Sequence, residues 1–140
     1  MAESTTDDSK ALVRRFYAAL DAGDPGAAMA MLAHDFRLNL AGRPSPLDAG
    51  GLAEFGGTLF RAFPDLHHTI VQQIAEGVRV LTHLTFAGTH RDEFQGVPST
   101  GRQIDVAAMN VHRIVDGRIA EQWAVIDQLS LLRQLGVVSE

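Results

Sequence analysis

Apolar residues four apart open the chain, and apolar residues two apart close it. Leu12, Phe16 and Leu20, with Val13 and Tyr17 beside them, form one stripe of a helix running from Lys10 to about Ala22. Asp8 or Ser9 is the expected cap and Gly23 the stop. Asp24 caps and Pro25 opens a second, short helix reaching about Leu32. Phe36 to Leu40 reads as a short strand, and Gly42 to Gly51, with two prolines and three glycines, as a loop. A third helix from Leu52 to Phe63 ends before Pro64 and is weakened by Gly56-Gly57.

The period then changes from four to two. Leu66 to Ile74 is a strand, and a turn follows at Glu76-Gly77. Val78 to His90 is a second strand, with Val78, Val80, Thr82, Leu84 and Phe86 on one face. A loop carries Gly96, Pro98 and Gly101. Ile104 to Val115 and Arg118 to Ile126 form a hairpin about Asp116-Gly117, the strongest turn signal in the chain. Leu129 to Leu135 is a last helical turn or two before Gly136. Helices followed by strands predict an α+β fold, with three N-terminal helices packed on a curved, mostly antiparallel sheet around a conical cavity. Residues 1–9 read as a disordered segment and 10–140 as one domain.

Simple alternation from the two-residue turn pairs His112 with Glu121, Asn110 with Trp123 and Ala108 with Val125. Asn110, His112, Glu121, Trp123 and Asp127 then share one face, the better candidate for a pocket. The other face carries Met109, Val111, Arg113, Ala120, Gln122, Ala124 and Ile126, and is apolar enough to be core or an interface between copies. Periodicity leaves the choice open. Glu121 and Asp127 lie ~20 Å apart on a straight strand, so His112 and Asp127 would touch opposite ends of an elongated substrate.

Composition narrows the chemistry. The 140 residues include no Cys, which excludes disulfides, thiolate metal sites and cysteine nucleophiles. The six His show no ligand spacing, so no metal is expected. No nucleotide-binding or serine-hydrolase motif occurs, and no cofactor is expected. A net charge of −5 argues against nucleic acid, and no apolar run approaches a membrane span, so the chain is expected to be soluble and cytoplasmic.

A series of segments resembles the SnoaL-like polyketide cyclases, whose fold is that of nuclear transport factor 2. It comprises Leu12-Val13-Arg14-Arg15-Phe16-Tyr17, His34-Asp35-Phe36, Phe63-Pro64-Asp65-Leu66, Gly88-Thr89-His90 and Gly96-Val97-Pro98-Ser99-Thr100-Gly101-Arg102. Asp116-Gly117-Arg118-Ile119-Ala120-Glu121-Gln122-Trp123, Asp127 and Leu129 to Gly136 complete it. The resemblance implies intramolecular aldol closure of an aromatic polyketide ester, without metal or Schiff base, by an aspartate acid/base. That role is carried onto Asp127, which could equally be the N-cap of the last helix. His112 would share proton transfer or pair with Glu121. Asn39, where the family often has His or Asn, would reach the cavity, with Trp123, Tyr17, Asn110 and Phe16 as further substrate contacts. Gln122 stands where His is common and Ala124 where a polar residue is common.

The expected activity is thus a lyase- or isomerase-type cyclase acting on a small, apolar, polyoxygenated substrate. Alternatives on the same fold are an epoxide hydrolase or ketosteroid-isomerase-like enzyme, and a non-catalytic binding or dimerisation module. A hydrolase would draw on Asp105 and Arg113. A homodimer is expected through the strip Met109, Val111, Ala124 and Ile126.

Overall fold

The structure, a computed structural model, describes residues 5–139. Helix α1 spans Thr6–Asp21 and starts earlier than the apolar stripe alone indicates. Thr5 is its N-cap: the Thr5 side chain accepts from the Asp8 backbone N–H, and the Asp8 carboxylate accepts from that of Thr5. This reciprocal pair satisfies two orphan donors, so residues 6–9, expected to be disordered, are helical. Residues 1–4 of that expected segment lie outside the described residues.

Helix α2, Pro25–Met29, is capped by Asp24 as expected but is shorter, because strand β1, Leu32–Leu40, begins at once. Helix α3 spans Ala49–Ala62 and starts three residues before the predicted Leu52, since Asp48 accepts from the Gly51 backbone N–H. Strands β2, His67–Glu76, and β3, Arg79–Thr89, follow. Strands β4, Gln103–Val115, and β5, Arg118–Ile126, form the predicted hairpin, and helix α4, Gln128–Gln134, closes the chain. Asp116 and Gly117 both have positive φ, 51° and 72°, the backbone of the two-residue turn that suits twisted strands. No helix among the described residues is long and apolar enough to cross a membrane.

The five strands form one mixed sheet in the order β1-β5-β4-β3-β2. The strand β1 sits between α2 and α3 in the chain and pairs parallel with β5, while the other pairs are antiparallel. The helices therefore do not simply precede the sheet: the strand between them forms its edge. Helix α1 packs on β2 and α3 on β1, covering one face, and α4 packs on β4. The buried core lies between, centred on Phe16, Phe36, Val80, Leu84, Val106 and Ile119.

The hairpin is not regular. Ile114 pairs with Ile119, but Arg113 pairs with Glu121, so Ala120 is an extra, bulged residue. A bulge bends the strand and resets its alternation. Beyond it His112 pairs with Gln122, Val111 with Trp123 and Asn110 with Ala124. The expected pairs His112–Glu121 and Asn110–Trp123 are thus each off by one residue, and the faces of β5 are exchanged. Further register shifts interrupt β1 against β5 and β2 against β3.

Two of the sequence segments that carry the family resemblance meet at a structural corner. Asp65 accepts from the Thr89 backbone N–H at 2.7 Å and the Thr89 hydroxyl at 2.8 Å, which holds its carboxyl below the usual range. A Cβ at Gly88 would lie 3.2 Å from the Asp65 Oδ1 and Phe63 Cβ atoms, so the close approach favours Gly. Nearby, His90 Nδ1 accepts from the Thr100 backbone N–H at 3.1 Å and anchors the Pro98-Ser99-Thr100-Gly101 loop.

A carboxylate-free candidate active site

Two adjoining chambers of about 80 Å³ and 320 Å³ lie against the inner sheet face, the smaller lined also by α1 and α3 and the larger by α3, α4 and residues 41–43. They share the walls Leu40, Phe55, Leu59, Phe86, Ala124 and Ile126. Helix α3 explains the space. Its apolar residues Leu52, Leu59 and Phe60 are only partly buried, and a Cβ at Gly56, on the wall of the smaller chamber, would meet nothing within 4 Å. The larger chamber reaches Arg43, Gln95 and Gln128.

The smaller chamber is apolar except for a few groups. The Asn110 Nδ2 donates to the Tyr17 hydroxyl at 2.6 Å. The Asn110 Oδ1 and Gln122 Oε1 atoms are buried with no hydrogen-bond partner among the described residues. Such an orphan costs about 1–3 kcal/mol. Burial raises the Tyr17 phenol far above its usual range, against the opposing effect of the Asn110 hydrogen bond, so it is a neutral O–H at any ordinary pH. His112 lies behind this wall, fully buried, with ring centroids 6.2 Å from Phe16 and 6.0 Å from Tyr17. Neither ring nitrogen makes a well-formed hydrogen bond among the described residues, though the Gln122 side chain, on the residue paired with it across the ladder, lies close enough to act on it. Burial lowers the His112 pKa to about 4, with Gln122 opposing, so the imidazole is neutral at pH 7.

His68 completes the wall. Its Nδ1 lies 2.7 Å from the Asp21 Oδ1, and its backbone N–H donates to the Asp21 Oδ2 at 2.8 Å. Its ring stacks at a tilt on Tyr17, with centroids 4.9 Å apart.

Of the residues expected in the site, the structure brings Phe16, Tyr17 and Asn110 together on the cavity wall. It sends three elsewhere. Trp123 is on the outer face, where the Arg79 guanidinium sits 5.8 Å from its ring centroid. Asn39 follows it outward, donating to the Glu121 Oε2 at 2.9 Å, because parallel pairing places Asn39 beside Trp123. Glu121 also accepts from Arg113 at 3.2 Å, so its expected pairing with His112 is corrected too. Asp127 is exposed, lines neither chamber, and accepts from the Ser130 backbone N–H at 3.0 Å as the N-cap of α4. The expected dimer strip changes likewise: Ala124 and Ile126 line the cavity, and Val125 is exposed beside Met109.

Sequence reasoning missed Gln122, His68 and Asp21. The adjacent apolar pair Ile119-Ala120, both buried, was the available signal that alternation breaks in β5. For His68, alternation indicates that one of His67 and His68 faces inward, without saying which.

An α+β fold with a helix-covered mixed sheet and an apolar cavity is the nuclear transport factor 2 type. Within it, a profile of the SnoaL-like polyketide cyclases matches residues 11–135, and the chain belongs to that family. The structure is similar to AclR of Streptomyces galilaeus, described as a candidate hydroxylase: 28% identity, TM-score 0.88, covering 96% of this chain and 99% of that one. It is also similar to IdmH of Streptomyces antibioticus, described as a candidate polyketide cyclase: 31% identity, TM-score 0.84, covering 92% and 99%. A third is TsrD of Streptomyces laurentii, at 26% identity and TM-score 0.85, covering 97% and 100%. No curated protein matches the chain.

Proposed function

We propose that this chain is a cofactor-independent cyclase that closes a ring in an apolar, polyoxygenated substrate by intramolecular aldol condensation. The observation that carries this reading is the set of unpartnered polar atoms of Asn110 and Gln122 on an otherwise apolar wall. The unpartnered atoms are amide oxygens, which accept from the hydroxyl or enol groups of such a substrate, while the Tyr17 hydroxyl, which accepts from the Asn110 Nδ2, keeps its own proton to donate to a substrate carbonyl. Donors aimed at a developing enolate or alkoxide oxygen stabilise it most where water is excluded. A methylene flanked by two carbonyls is already acidic, so hydrogen bonding suffices. Asp127 is left out of the proton transfer, because its carboxylate caps α4 and faces solvent.

A second reading is favoured by one observation: neither chamber has an Asp or Glu in its wall. The cavity would then bind such a molecule without converting it.

The test uses a linear aromatic β-keto methyl ester, followed by chromatography with and without the protein. The cyclase reading predicts faster closure than in buffer, slowed about tenfold or more by Asn110→Leu. Binding without any acceleration supports the second reading.

A further inference from the structure

Asp21 breaks a local rule. It is the last residue of α1, and that helix has no basic residue in its last turn. The C-terminal end of a helix carries partial negative charge and favours cations, so an Asp there is disfavoured unless something compensates. The compensation is His68, which the Asp21 carboxylate grips at both the ring Nδ1 and the backbone N–H, at 2.7 and 2.8 Å.

This two-point grip has a chemical consequence. A carboxylate oxygen accepts, so the His68 Nδ1 carries the proton. The neutral ring then bears its lone pair on Nε2. Phe60, Phe86 and Tyr17 flank the ring, and its side chain is only 11% exposed on the cavity wall. A carboxylate that fixes the tautomer of an imidazole and stabilises its cation is the arrangement that makes histidine an effective general base.

We infer that His68 is the general acid/base of this cavity, with its Nε2 atom as the proton acceptor, and that Asp21 is its positioning residue. This rests on the cavity being the reaction site, as proposed above. The C–H bond next to a substrate carbonyl breaks, its proton goes to the His68 Nε2, and its electron pair moves onto the carbonyl oxygen as an enolate. The enolate carbon then forms the new C–C bond to a second carbonyl of the same molecule. The alkoxide so formed takes the proton back from the His68 Nε2, and the neutral imidazole returns.

Proton transfer can be read without ring closure. The probe is 2-acetylnaphthalene, a flat aryl methyl ketone whose methyl protons exchange slowly in neutral D2O. Saturation-transfer NMR reports its binding, and loss of the methyl signal reports exchange. The wild-type protein is expected to accelerate exchange. His68→Gln should lose at least about tenfold of that acceleration while still binding the probe, a loss typical of a removed general base. Added imidazole should restore part of it. Asp21→Asn should slow exchange severalfold with probe binding unchanged, a split that a purely structural tie between α1 and β2 would not give. Should His68→Gln unfold, His68→Asn replaces it. Bound probe with no exchange by the wild type, or exchange undiminished in both His68 variants, overturns the inference. Exchange that depends on His68, with no closure of the β-keto ester, supports the inference and overturns the cyclase reading instead.

Discussion

The two faces of the sheet at the β4–β5 hairpin treat their polar groups in opposite ways. On the outer face the polar groups find partners within the protein. Glu121 accepts from Arg113 and Asn39, and Arg79 sits over Trp123. On the inner face, one residue away along each strand, Asn110, Gln122 and His112 all hold polar atoms without a well-formed hydrogen bond. Outer pairs are screened by water and contribute ~0–1 kcal/mol each. Inner orphans destabilise the empty protein by more than that apiece. Under the proposed function the adjoining chamber gives Asn110 and Gln122 a use, because a ligand there would satisfy them, whereas His112 lies behind the wall and lines neither chamber.

The largest expected effect tests this contrast by adding the same bulk on either side of β5. Ala124→Phe fills the cavity wall and should abolish binding of 2-acetylnaphthalene. Val125→Phe, next in sequence but 55% exposed on the outer face, should change it by less than about twofold. Equal losses in both variants would break the distinction between the faces.

A smaller effect concerns the deepest inner residue. His112 titrates near 6.5 when unfolded and about 4 when folded. Between those values the unfolded chain binds the extra proton, so folded stability falls as pH drops through that window and is fully present above it. The shift corresponds to roughly 3 kcal/mol across the window. His112→Leu removes the titrating group, so denaturant midpoints measured from pH 7 to pH 4 should fall less steeply than in the wild type. Identical slopes would show that the imidazole is not held neutral by burial.

The smallest effect is at Asp127. Removing the α4 cap by Asp127→Ala should cost about 1 kcal/mol in urea unfolding. It should leave acceleration of ester closure within about twofold. A loss of a hundredfold would return the acid/base role to this residue.

Much of the fold was legible because local signals agreed with it. The Leu12-Phe16-Leu20 stripe, the Asp24-Pro25 start and the Asp116-Gly117 turn each state their geometry in a few residues. The site was less legible, for a single reason. Strand alternation has period two, so one bulged residue exchanges every side chain beyond it. Ala120 is that residue, and it moves Glu121 and Trp123 out while bringing Gln122, Ala124 and Ile126 in. Phe16, Tyr17 and Asn110, placed by elements before the bulge, lie on the cavity wall. Asn39 followed Trp123 outward through parallel pairing across β1 and β5, a contact between residues far apart in sequence. His68 required the contact with Asp21, which likewise comes only from tertiary packing.

The most direct measurement is a crystal structure of the protein with 2-acetylnaphthalene bound. The account predicts the ketone oxygen within about 3 Å of the Tyr17 hydroxyl, with the Asp127 carboxylate still on the Ser130 backbone N–H. A ketone seated on the outer face, or one near Asp127 and away from the Tyr17 hydroxyl, would contradict it.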